Sequence, residues 1–202
     1  MSKVVITGNA SGTGDFTIAA PNSNTDRTLT LPDEAGTVDT LQRAGNVLQV
    51  KNYQFGSLLS LGNVQIPYDD TIPQITEGGE VMTLAITPQF ASSKLLIEVL
   101  VNVSPSLSSE KMVVALFQDT TANAIACVSE EFYDSSHMVA IPLRYFMSSP
   151  GTSAVTFKVR VGRTDSSGNS LTVNGYLGAR KFGGALATST YKSSVNYTNS
   201  SN

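Results

Sequence analysis

The chain has 202 residues, a net charge of −3 and a charged fraction of only 14%, well under the ~25% usual for globular proteins. With 13 Lys+Arg against 16 Asp+Glu there is no basic footprint for nucleic acid, and no apolar run nears the ~18 residues of a membrane helix. Hydrophobic residues make up an ordinary 41%, while 46 residues are Ser or Thr, so hydroxyls rather than Lys and Glu supply much of the polar surface. Thr and Val suit pleated strands, and the expected fold class is all-β.

The first six residues, Met-Ser-Lys-Val-Val-Ile, are too short for a signal h-region. A single cysteine, Cys127, has no partner for an internal disulfide. A single histidine, His137, excludes most His-rich metal sites. No cofactor is implied.

Residues 1–40 are rich in Gly, Thr, Asn and Asp, with short apolar runs at 3–7, 15–19 and 27–31. Turn chemistry fills the spacers. Strands so short and few cannot bury a core alone, so this region reads as an attachment or stalk segment that needs a partner. Residues 41–60 read as a linker and first strand, with room for a single helical turn near Leu41. Over residues 61–181 the strands lengthen. Met82, Leu84 and Ile86 alternate with Val81, Thr83 and Ala85; Ile97, Val99, Val101 and Val103 share one face; Val155, Phe157, Val159 and Val161 share another. Residues 171–177 continue the alternation, and 112–117, 124–128 and 138–146 are further candidates. Period-two runs separated by Gly, Pro, Ser and Asp predict an antiparallel β-sandwich of jelly-roll type. Residues 182–202 hold little to bury. They read either as a mobile tail or as an arm laid along a neighbouring subunit, anchored by Tyr191, Val195 and Tyr197.

The glycine run Thr7-Gly8 … Gly12 … Gly14 resembles the phosphate turn of a short-chain dehydrogenase. That turn must open a helix whose N-terminus faces the pyrophosphate. The residues that follow include Thr17, Ile18, Pro21, Thr25, Thr28 and Thr30 without a helical stripe. Tyr176 has Arg180 where that family has its lysine, so the glycines read as a flexible loop. Cys127 lies in the run Ala-Ile-Ala-Cys-Val and is expected to be a buried structural thiol rather than a nucleophile. His137 is expected in a solvated or receptor-facing loop. Asp69-Asp70 and Glu130-Glu131 lack the spaced oxygen ligands of a calcium loop, and no catalytic constellation emerges. The chain reads as a binding protein and not an enzyme.

The segment from Gly14 to Val38 carries Pro21-x-x-Asn24-Thr25, then Arg27-Thr28-Leu29-Thr30-Leu31-Pro32-Asp33-x-x-Gly36-Thr37. It resembles a recurring module of bacteriophage tail-fibre and virion-fibre proteins. Leu84-Ala85-Ile86-Thr87-Pro88 with Ser92 to Ile97, and Ser149 to Arg160 with Val173-Asn174-Gly175, resemble the C-terminal domain of such fibres. The resemblance implies a homotrimer in the virion. Its N-terminal segment would dock to other virion proteins, through Phe16, Ile18, Leu29 and Leu31, and its β-domain would face the host. A capsid decoration protein or head fibre shares these features, and a monomeric carbohydrate-binding domain is a third reading. Threefold association would cover the short strands of residues 1–40. A hydroxyl-rich surface suits a host-surface glycan, although without Trp the stacking would fall to Tyr133, Tyr145 or Tyr176, at least two of which are expected in core or interface packing. Receptor-facing positions are expected in two polar loops, at Asp134, Ser135, Ser136 and His137 and at Asp165, Ser166 and Asn169.

Overall fold

The computed structural model describes residues 46–106, 110–133, 137–165, 170–186 and 188–195, with residues 8, 10–15, 17–19, 22–26 and 28 near the N-terminus. The chain divides into two compact units, Met1–Val38 and Asp39–Asn202. In the first unit the expected strand at 3–7 and nearly all of that at 27–31 lie outside the described residues. Asp15 and 17–19 are described and belong to no strand. The possible helical turn near Leu41 also lies outside the described residues.

The second unit is all-β. Its strands are β1 (Val47–Phe55), β2 (Leu59–Leu61), β3 (Gly79–Ile86), β4 (Lys94–Pro105), β5 (Glu110–Gln118), β6 (Ala126–Phe132), β7 (Val139–Ser148), β8 (Val155–Arg163), β9 (Leu171–Val173), β10 (Gly175–Tyr176), β11 (Ala179–Arg180) and β12 (Thr188–Val195). One 3-10 turn, Phe182–Gly184, is the only helical element among the described residues.

Two antiparallel sheets make the sandwich. In the first, β4 is central. One edge pairs with β7 along its length, and the other with β12 and then β9, beyond which lie β1 and β2. The second has the order β3-β8-β5-β6. With the β10–β11 hairpin set aside as a separate two-stranded sheet, taking β1 with β2 as one interrupted strand and β9 with β12 as another leaves eight strands in the order of a jelly roll. Period-two alternation dictates the core between the sheets. Leu95, Ile97, Val99, Val101 and Val103 of β4 face Met112, Val114 and Leu116 of β5 and Val155, Phe157, Val159 and Val161 of β8. The predicted sandwich is found, with the inward-facing residues expected on β4 and β8. On β3 Met82 and Ile86 join the core but Leu84 does not, and Val81 packs against it instead, beside a register irregularity between Glu80 and Met82.

Strand β5 departs from strict alternation because it is covered twice. Val113, Ala115 and Phe117 on its outer side join Ile66, Ile75 and Ala124 in a second apolar cluster. The β2–β3 connection, residues 62–78, forms that cover. It is tied down by Ile66 N–H to Arg163 O (2.8 Å), Gly78 N–H to Gln65 O (2.7 Å) and Ile75 N–H to Ala122 O (2.7 Å). At Gly162 a Cβ would lie 2.6 Å from Ile66 Cγ1, so only glycine admits this close approach.

Two further expectations are revised. The alternation expected through 171–177 stops at Val173, because Asn174 takes a left-handed φ of 55°. Its buried side chain stitches both interrupted strands. Asn174 Nδ2 donates to Phe55 O (3.0 Å) and Ser57 O (3.3 Å), and the Thr188 hydroxyl donates to Asn174 Oδ1 (2.9 Å). Asn102 N–H donates to Thr188 Oγ1 (3.2 Å), and Asn174 N–H to Asn102 O (3.1 Å). The segment 182–202 was expected to lie outside the sandwich as a tail or arm. Instead its residues Thr188–Val195 form β12, laddered to β1 on one edge and β4 on the other. Backbone hydrogen bonds on both edges hold a strand whose sequence, Thr-Ser-Thr-Tyr-Lys-Ser-Ser-Val, carries little apolar signal.

Candidate functional site

Strands β4, β6 and β8 end, and β5, β7 and β9 begin, at one end of the sandwich. The register records it: Pro105 opposes Leu171, Val103 opposes Val139, Glu110 opposes Phe132, and Met112 opposes Arg163. Three connections therefore emerge together, residues 106–109, 133–138 and 164–170. Two of them are the loops singled out from sequence. Asp134, Ser135, Ser136, Ser166 and Asn169 lie outside the described residues. His137 and Asp165 are described, and both are exposed. Tyr133, which follows β6, is 78% exposed.

Under this end lies a charge cluster that was not anticipated. Arg163, the last residue of β8, is fully buried. Its Nε donates to Glu110 Oε2 (2.8 Å) and its Nη2 to Glu110 Oε1, closing a bidentate pair. The same Nη2 donates to Asp165 Oδ1 in the loop above. Burial pushes the Glu110 carboxyl above the ordinary glutamate range, while Arg163 pulls it back. The surrounding backbone is fixed as well: Arg163 N–H donates to Val64 O (3.0 Å) and Thr164 N–H to Lys111 O (3.1 Å). Charges placed where apolar strands end, as in Ser-Glu110-Lys and Gly-Arg163-Thr, were the available signal. Pairing across 53 residues made the assignment invisible. Asp165, read as a receptor-facing residue, thus also anchors its loop to the sandwich.

A second feature lies on the outer side of the β3-β8-β5-β6 sheet, between the 62–78 connection and β6. Two adjoining hollows of about 310 and 210 Å³ share Asp69, Thr71, Pro73 and Cys127 as walls. The first continues along Asp70, Ile72 and Ala124–Ala126; the second reaches Ile66, Pro67, Tyr68, Val113 and Ser129. Cys127 corrects an expectation: its thiol is exposed rather than buried. In the β6 alternation Ala126 and Val128 pack on the main core while Cys127, opposite Ala115, falls on the outer side. Thr71 donates to Asp69 Oδ1 through its hydroxyl (2.6 Å) and its N–H (2.8 Å), and these bonds hold the carboxyl below its ordinary range. No cluster of three metal-ligating side chains occurs among the described residues.

The aromatic residues divide by position. Tyr145 packs half-buried against the core, and Tyr176 lies half-buried with the Lys181 ammonium 5.5 Å from its ring centre. Tyr68 was missed from sequence. It is 67% exposed, with Lys111 Nζ 5.1 Å from its ring centre, and Lys111 also pairs with Glu131 at 3.4 Å. Of the N-terminal attachment residues, Phe16, Leu29 and Leu31 lie outside the described residues, and Ile18 is 75% exposed.

No protein-family model and no curated protein matches the sequence. Among solved structures the chain is similar to Eiger TNF from S. frugiperda, at 8% identity and a TM-score of 0.42 over 76% of this chain and 97% of that one. It is also similar to the CBM22-1 xylan-binding domain from Paenibacillus barcinonensis Xyn10C, at 11% identity and 0.35 over 77% and 99%. A third likeness is to a structure of infectious bursal disease virus, Gx strain, at 10% identity and 0.37 over 75% and 37%.

Proposed function

We propose that this chain is a structural virion protein of a bacteriophage, a short homotrimeric fibre or receptor-binding tip that acts by binding and not by catalysis. The observation that carries the reading is the loop end of the sandwich. Three polar connections leave adjacent strand ends over a base made rigid by the buried Arg163–Glu110 pair and the Asp165 bond. Such a base positions binding loops at low ordering cost. The virion half of the reading draws on the fibre-like pattern of residues 14–38, which ends where the first compact unit ends, at Val38.

Light scattering on the purified full-length chain tests the assembly, with a mass near three chains expected; a monomer at every concentration overturns the fibre reading. Tyr133→Ala and His137→Ala test the loop end. Both side chains are exposed, so the variants keep their mass and thermal stability. In competition with intact particles for host cells they block adsorption less well than the unaltered protein. Undiminished blocking by both variants moves the receptor site elsewhere.

A further inference from the structure

We infer that the groove between the 62–78 connection and β6 is a binding site for a neutral saccharide of two or three units. The inference deepens the reading of this chain as a binding protein and rests on it.

Size comes first. The two hollows adjoin through Asp69, Thr71, Pro73 and Cys127 and together fall within the volume range of small-molecule sites. They are elongated in sequence of walls, one running toward Ala124 and the other toward Ser129, which suits a short chain of units rather than a single compact ligand.

Wall chemistry decides the ligand class. Pro67, Ile72, Pro73 and Ile125 offer apolar surface, and between them stand Asp69, Asp70 and Ser129. A pyranose has the matching division, with C–H faces that pack on apolar walls and an equator of hydroxyls that donate to carboxylates. Asp69 is held ionised by its two bonds from Thr71, and no Lys or Arg stands among the described lining residues. These two carboxylates repel phosphorylated, sialylated or uronic-acid sugars, and the nearby Lys111 ammonium is already paired with Glu131 at 3.4 Å. An organic cation is also poorly served, because the exposed aromatic ring at this end, Tyr68, already carries the Lys111 ammonium at 5.1 Å.

The walls are preformed. Ala124 N–H donates to Pro73 O (2.9 Å), Ile125 N–H to Leu116 O (2.8 Å), and Ile75 N–H to Ala122 O (2.7 Å). The connection is thereby fixed to the segment before β6, and little ordering is left for the ligand to bear.

The single thiol, Cys127, lies in both hollows and makes a native reporter. The full-length protein is labelled with a maleimide in the presence of an array of neutral oligosaccharides, of sialylated and phosphorylated ones, of spermidine and of calcium chloride. At ten times its dissociation constant a bound saccharide leaves about a tenth of the thiols open, so labelling slows about tenfold and saturably. Asp69→Asn and Asp70→Asn each weaken that protection about tenfold, the worth of one charge-assisted hydrogen bond, with the thermal transition unchanged. Protection by spermidine, calcium or anionic sugars in place of neutral ones overturns the proposal. So does neutral-sugar protection that both Asp variants retain, and so does the absence of protection across the neutral array. Particle competition separates the two readings: a protein that blocks adsorption while no saccharide shields Cys127 keeps its receptor role and loses the groove.

Discussion

Strands β5 and β1 are both nine residues long and stand at opposite extremes of burial. β5 is covered by the main core on one side and by the 62–78 connection on the other, and Met112, Val114, Ala115, Leu116 and Phe117 are all inaccessible to solvent. β1 lies at the edge of its sheet, with Val47, Val50 and Tyr53 each more than two-fifths exposed. Their stabilities therefore have different sources. β5 is held by apolar burial on two faces. β1 is held by its ladder to β12 and by the Asn174 and Thr188 stitch at its end. A strand gains from burial only where something lies over it.

The comparison is broken most severely at Phe117. Phe117→Ala removes the largest side chain of the second cluster and costs about 3–5 kcal/mol in urea unfolding. Because it opens a cavity under the 62–78 connection, it also speeds maleimide labelling of Cys127, while hydrogen exchange in β1 changes little. Asn174→Ala acts on the other side. It removes the partner of the Phe55 and Ser57 carbonyls and of the buried Thr188 hydroxyl, costs roughly 1–3 kcal/mol, and raises hydrogen exchange in β1 and β12 ahead of β5.

A pH titration sharpens the contrast at the head of β5. Burial raises the Glu110 carboxyl above its ordinary value of 4.5. Between the unfolded and folded values the native state binds the extra proton, so this contribution is complete below the unfolded value and is lost as pH rises through the folded one. Glu110→Gln removes that step from the pH dependence of the urea midpoint; an unchanged curve would refute the assignment. The smallest effect is expected at Tyr53→Ser. Its ring is 44% exposed and tilts against Phe55 at 6.2 Å, so the change shifts stability by less than about 0.5 kcal/mol.

Much of the sandwich was legible because alternation is a local signal. Met82 and Ile86, the odd positions of β4 from Leu95 to Val103, and the odd positions of β8 from Val155 to Val161 all face the core as their spacing demands. The breaks between β6 and β7 and between β8 and β9 were legible from their polar residues, but nothing local placed both at the same end. The Arg163–Glu110 pair, the groove and the exposure of Cys127 were not legible: the pair joins residues 53 apart, the groove joins the 62–78 connection to β6, and the exposure of Cys127 follows from the register of β6 on β5. Cys127 was misread for a definite reason. Its neighbours Ile125, Ala126 and Val128 look like a buried run, yet a strand sends alternate residues to opposite faces, and the register decides which face is core.

What the sequence determined alone was the class of the domain: hydroxyl-rich, low in charge, built of alternating strands with turns between them. The tertiary structure decided the rest. It chose which strands pair, drew Thr188–Val195 into the sheet between β1 and β4, interrupted two strands at Asn174, and laid residues 62–78 over β5. The physical reason is the range of the interactions. Side-chain alternation is written every second residue, whereas ladder partners, buried ion pairs and close approaches such as that at Gly162 exist only once distant segments have met.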